Sequence, residues 1–152
     1  MSRSALLSLA ATIAISLLAQ APSKTYAQKL VDQELAAHPD VIIIGLHVAS
    51  RDGSDYPILA SNIGRIGKKA DEDDLRVIHT GKPNLEVNKT GNHFEVELPL
   101  QDQSGKTIGA VGIVFNYKNG DNKAAFQKKA EQVRDEMRKQ IPSLDKLYEP
   151  AS

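Results

Sequence analysis

Hydrophobic and polar positions alternate along this chain with periods that change every ten to fifteen residues, so the elements can be laid out in order. Residues 28–38 carry Leu30, Val31 and Leu35 among polar neighbours, and Pro39-Asp40 stops any helix there. Residues 41–48, Val-Ile-Ile-Ile-Gly-Leu-His-Val, are β-branched and almost continuously apolar, the pattern of a strand covered on both faces. A turn at 51–54 leads to a second strand over 56–63, with Pro57 placing its start near an edge. The segment 71–80 has acids in its first turn and Gly81 just past its end, which predicts a helix. A weak strand at 85–88 and the turn at 89–92 precede residues 93–100, which alternate strictly with Phe94, Val96, Leu98 and Leu100 on one face. Residues 106–117 are apolar on both faces and predict a central strand. From Asp121, a predicted N-cap, a helix runs to about Gln140 with Phe126, Ala130, Val133 and Met137 on one stripe, and a short tail follows Pro142. Helix, two strands, helix, three strands, helix describes one α+β domain around an antiparallel sheet.

Ahead of that domain, residues 1–27 contain no acid, carry Arg3 near the start, and run apolar from Ala5 to Ala19. This stretch is shorter than the roughly 20 residues that span a bilayer, and it has the form of a secretory signal. Cleavage is expected after Thr25-Tyr26-Ala27, with Ala19-Gln20-Ala21 as the alternative disfavoured by Pro22. The expectation is a signal peptide over 1–27, a single domain over 28–152, and export across the inner membrane to the periplasm. The whole chain of 152 residues holds 19 basic and 19 acidic side chains, so it lacks the basic excess of a protein that coats nucleic acid. With no Cys, a disulfide scaffold, a thiolate zinc site, an iron-sulfur cluster and a Cys nucleophile are excluded.

Strand 94–100, the turn Asp102-Gln103-Ser104-Gly105-Lys106 and the glycine-bearing strand Thr107-Ile108-Gly109-Ala110-Val111-Gly112-Ile113-Val114-Phe115 resemble the second half of Cache domains. These are the extracytoplasmic, PAS-like sensor domains also called PDC sensors. The resemblance implies a five-stranded antiparallel PAS/Cache-like sheet flanked by N-terminal, middle and C-terminal helices, with a small-molecule pocket beside the sheet. Such domains usually connect to a transmitter through a transmembrane helix. No transmitter is encoded here, so a freestanding sensory or binding domain is expected, any signal passing through a membrane-bound partner. The spaced Tyr, Arg, Trp and Asp of the amino-acid-binding members are not visible, and amino-acid binding is not assigned.

Several residues are candidates for chemistry. His47 shares a strand face with Gly45, and Gly109 and Gly112 remove volume from the last strand; space above a sheet is what a ligand pocket requires. His47 is a candidate ligand contact there, against the alternative of a satisfied, half-buried histidine. Ser61, Asn62 and Arg65 lie where the second strand empties into a basic loop that also carries Lys68 and Lys69, and they complete the expected ligand-binding set. Gly67-Lys68 fails the phosphate-loop pattern, having Asn62 and Lys69 where Gly and Ser or Thr are needed. His93, Glu95 and Glu97 share one strand face and have metal-competent side chains, but their spacing and the alternation predict a solvated face, so no metal and no cofactor is expected. The stripe on the last helix is a candidate homodimer surface. The sequence therefore points to a non-catalytic, exported domain that binds a small polar or anionic metabolite. The alternatives are a small exported enzyme using a His/Glu acid-base pair and an envelope interaction protein.

Overall fold

A computed structural model describes residues 23–151. The body of the expected signal segment lies outside the described residues. Helix α1 (Tyr26–Ala37) is capped by Thr25, whose hydroxyl accepts from Gln28 N at 3.1 Å, and it ends at His38 before the proline. The helix thus starts two residues ahead of Gln28. Lys24 reaches forward to Asp32 at 2.7 Å, and Tyr26 donates its hydroxyl to the carbonyl of Gln140. The folded unit therefore includes residues 24–27, which the expected cleavage after Ala27 would remove.

Strands β1 (Val41–Val48), β2 (Ile58–Ser61), β3 (Asn84–Val87), β4 (His93–Gln101) and β5 (Thr107–Asn116) form a five-stranded sheet in the order β2-β1-β5-β4-β3, antiparallel throughout. A bulge between Val41 and Ile43 turns Val41 to the same side as Ile44. Strand β2 is shorter than its apolar run because the chain beyond it folds back along its outer edge. Ile58 N donates to Lys68 O and Gly67 N to Ile58 O, so the edge is closed by residues 67–69 instead of water. The β4–β5 turn is tied by Asp102, whose Oδ1 accepts from Ser104 N, Ser104 Oγ and Lys106 N.

One face of the sheet carries the core. Ile44, Leu46 and Val48 of β1, Phe94, Val96, Leu98 and Leu100 of β4, and Val111, Ile113 and Phe115 of β5 are buried there. They pack against Ala27, Leu30 and Val31 of α1 and against helix α3 (Lys123–Lys139). Helix α4 (Leu144–Tyr148), where the sequence pattern predicts only a tail, adds Leu147. Asn122 and not Asp121 caps α3, accepting from Ala125 N; Asp121 instead accepts from Lys118 N. The α3 stripe is a core face: Ala130, Val133 and Met137 are fully buried, and Phe126 stacks on Phe115 with ring centroids 5.0 Å apart. That stripe is therefore engaged in the chain's own core, and the charged face of α3 is the one turned outward.

The opposite face is roofed by helix α2 (Glu72–Thr80) and the loop before it. Val77 and Ile78 of α2 pack on Ala110 of β5 together with Tyr56. The helix is held at both ends, by a capping box between Asp71 and Asp74 and by left-handed Gly81 at φ 69°. Because this roof exists, Glu95 and Glu97 do not lie on a solvated face as the alternation suggested. Glu97 is 9 % exposed. A period of two tells which side chains share a face, and what covers that face is decided by elements distant in sequence.

Candidate functional site

The pairing register places five residues in one row across all five strands: Ser61 of β2, Gly45 of β1, Gly112 of β5, Glu97 of β4 and Asn84 of β3. The two adjacent glycines leave a trough between Ser61 and Glu97, and α2 and the 62–70 loop close over it. The result is a cavity of about 150 Å³ lined by His47, Ser61, Arg65, Lys68, Asp71, Asp74, Glu95 and Glu97 around Gly45 and Gly112. It adjoins a second space of about 300 Å³, which shares Ile43, Ile63, Arg65 and Glu95 and extends to His93 and Glu86. A Cβ on Gly45 would meet no atom within 4 Å, and one on Gly112 would meet Glu95 Oε1 at 2.7 Å. Gly109 has a different reason to be glycine, since a Cβ there would collide with the backbone carbonyl of His47.

His47 stands at one end of the cavity. Its Nδ1 is 2.8 Å from Tyr56 O, and a carbonyl can only accept, so Nδ1 carries the proton. Nε2 then faces Asp74 Oδ2 at 3.4 Å. Asp74 is the N3 residue of the capping box, and the same oxygen accepts from Asp71 N at 2.8 Å. Glu97 approaches from β4, with Oε2 accepting from Asn84 Nδ2 at 3.1 Å. Burial, the hydrogen bond to Asp74 and the charges of Asp74 and Glu95 push the Glu97 carboxyl up to about 8, with Asn84 pulling the other way. At neutral pH Glu97 thus keeps its proton and can donate it toward Asp74. Burial and the charges of Glu86, Asp74 and Asp71 also raise Glu95, which Lys68 opposes.

The mouth has the opposite sign. Arg65 adopts a left-handed backbone at φ 63°, directly after Gly64 at φ 75°, a conformation that carries strain in a residue with a side chain. Its guanidinium forms no ion pair among the described residues, while Lys69 at the same loop is committed to Asp55 at 2.8 Å. The cavity therefore has a carboxylate floor and a cationic rim.

Of the four residues expected to contact a ligand, His47, Ser61 and Arg65 line the cavity. Asn62 is placed elsewhere: its Oδ1 accepts from Ile44 N at 3.1 Å and its Nδ2 donates to Ile42 O at 2.9 Å, so it continues the β1–β2 ladder with its side chain. The Ser61 hydroxyl also has a local task, accepting from Ile63 N at 3.1 Å. The sequence reading did not assemble Asp74, Glu95 and Glu97 into the site. The available signal was the pairing of small residues with acids on facing strands, which requires the register to interpret.

The sheet order, the helices α1, α3 and α4 on one face and the roofed cavity on the other define an α+β fold of the GAF/PAS-like type. The sequence matches no family model. It also matches no curated protein. Among solved structures it is similar to the GAF domain of the A. aeolicus protein nlh2 in an inactive state, with 16% identity, TM-score 0.57, and coverage of 75% of this chain and 83% of that one. It is similar also to the GAF domain of an Acinetobacter phosphoenolpyruvate-protein phosphotransferase, with 15% identity, TM-score 0.54 and 78% of each chain covered. The Agobacterium tumefaciens repressor BlcR aligns with 10% identity and TM-score 0.53 over 77% of this chain and 67% of its own. At these identities the likeness establishes the fold, at the level of the PAS-like architecture that the Cache resemblance implied.

Proposed function

We propose that this chain is a non-catalytic sensory domain that binds a small polar metabolite in the trough between the sheet and α2. The observation that carries the reading is a roofed cavity with unspent charge of both signs: Arg65 without an ion pair at the rim, and Glu95 without a hydrogen bond at the floor among the described residues. Charges at a cavity wall that the protein does not neutralise itself are recognition groups for a ligand. Arg65 and Lys68 suit an anionic group, and the Asp74–Glu97 pair suits a hydrogen-bond donor. The GAF-type fold supports a sensory role, and the 102–106 turn with its glycine-bearing strand supports a Cache-like, exported member that acts through a membrane-bound partner.

A second reading, acid-base catalysis, is favoured by the contact of His47 with Asp74 and by the proton that Glu97 keeps beside Asp74. The two readings separate in one experiment. The purified protein is screened by thermal shift against organic acids, amines, zwitterions and nucleobases. Saturation at about a hundredfold excess over the dissociation constant stabilises the fold by roughly 2.7 kcal/mol. The expected result is a hit recovered chemically unchanged, whose affinity falls in Arg65→Ala and His47→Ala while both variants remain folded. A hit that is turned over supports catalysis. Unaltered affinity in both variants removes the cavity as the binding site.

A further inference from the structure

On the far side of the sheet from the cavity, α1 and α3 bring together three side chains that the proposed ligand site does not use. Glu34 and His38 are one turn apart at the end of α1, and Glu136 projects from α3, 98 residues beyond His38. His38 Nε2 lies 2.7 Å from Glu136 Oε2 and 3.4 Å from Glu34 Oε2. Glu34 is 3 % exposed and His38 6 % exposed. Glu34 Oε2 is buried and accepts no hydrogen bond from any described residue, which leaves a carboxylate oxygen aimed at the imidazole without a donor of its own. An unsatisfied buried carboxylate oxygen is costly, and native structures keep one only where something else completes it.

The second oxygen of each carboxylate is already held. Gln140 Nε2 donates to Glu34 Oε1 at 3.2 Å, and Gln132 Nε2 donates to Glu136 Oε1 at 2.9 Å. Each glutamate is thereby oriented by an amide so that its remaining oxygen converges on His38 Nε2. Such outer hydrogen bonds, one per ligating carboxylate, are the support that metal ligands have and simple surface ion pairs lack. The three donor atoms lie within 4.8 Å of one another. Donors about 2.0–2.2 Å from a tetrahedral ion lie about 3.4 Å apart, so small rotations of these side chains suffice.

We infer that Glu34, His38 and Glu136 form a zinc site, with a water molecule as the fourth ligand on the side open to solvent. One imidazole and two carboxylates fit a borderline divalent ion. Calcium is disfavoured because it requires six to eight oxygen donors. Zinc takes the place of the proton between His38 and Glu136, supplies the partner that Glu34 Oε2 lacks, and balances the two carboxylate charges. The site ties α1 to α3 over the core and is separated from the metabolite cavity by the sheet, so the two bind independently.

The test uses the purified protein, stripped with a chelator and titrated with zinc alone in competition with a chromophoric chelator, with calcium as the control cation. One zinc per chain is expected, with a higher melting temperature that the chelator reverses. Glu136→Gln and His38→Gln should each weaken zinc by roughly tenfold or more, while Glu131→Gln, on the same helix but outside the cluster, should bind as the parent does. Should His38→Gln fail to fold, Glu136→Gln decides alone, since that side chain is one-third exposed and leaves the core intact. Absence of saturable zinc binding, or parent-like affinity in Glu136→Gln, overturns the assignment.

Discussion

Replacing Glu97 with Gln should make the protein more stable at alkaline pH and leave it unchanged at acid pH. The folded state holds the Glu97 proton up to about pH 8, whereas an unfolded chain releases it near 4.5. Between those values the folded state binds more protons than the unfolded one, so stability falls as pH rises. The contribution is fully present below pH 4.5 and exhausted above about pH 8. At about 1.36 kcal/mol per pH unit the interval from 4.5 to about 8 sets a ceiling near 5 kcal/mol. A carboxylate that faces a cavity able to admit water recovers part of that loss, so about 1–3 kcal/mol is expected. The amide keeps the Asn84 contact through its oxygen and offers its NH₂ to Asp74 at every pH. Urea denaturation of parent and variant at half-unit steps from pH 5 to 9 reads the difference directly, because titrating groups that do not interact with Glu97 cancel between the two. A difference that is flat with pH refutes the raised Glu97 carboxyl.

Two glycines facing different surroundings give a paired test. Gly109→Ala places a methyl group against the His47 carbonyl and should cost about 2–3 kcal/mol, read as a loss of denaturation midpoint. Gly45→Val extends into open space and should change stability by less than about 1 kcal/mol while reducing affinity for the screened ligand at least roughly tenfold; strong destabilisation would mean the trough is filled. A chain starting at Gln28 loses the Thr25 cap, the fully buried Ala27 and the Tyr26 bonds to Gln140 and Glu149, and should be about 3 kcal/mol less stable than one starting at Pro22. If the chain is exported, mass spectrometry of the mature protein should accordingly find cleavage after Ala21, and a terminus at Gln28 in a fully stable protein would contradict the role given to residues 24–27.

How much of this was legible in the sequence differs between the two faces of the sheet. The core face was legible because a period of two sorts the apolar residues of β1, β4 and β5 onto faces, with strict alternation in β4, and α3 states its own stripe. The positions that those patterns mark, from Ile44 to Met137, are the ones buried between sheet and helices. The cavity face was legible only in part. Gly45 and Gly112 announced missing volume, and His47 shares their face by period alone. That Glu97 lies beside Gly112 depends on the β4–β5 register, which the turn at Asp102 and the bulge between Leu100 and Gln101 together set. Its neighbour Asp74 reads in sequence as one more acid in a first turn, because the helix-capping role and the contact with His47 use the same oxygen.

The zinc cluster marks the far limit of such reading. Glu34 and His38 are spaced one turn apart, but the third ligand sits on α3, and nothing local distinguishes Glu136 from Glu131 on the same helix. The distinction comes from packing. Met137 and Val133 fix which way α3 faces the sheet, and that rotation carries Glu136 toward the end of α1. The amides Gln132 and Gln140 stand one turn to either side of Glu136, where the helix repeat delivers them to the two carboxylates. A residue's own type therefore suggests what it can bind, while the packing of the apolar stripe beside it decides what it meets.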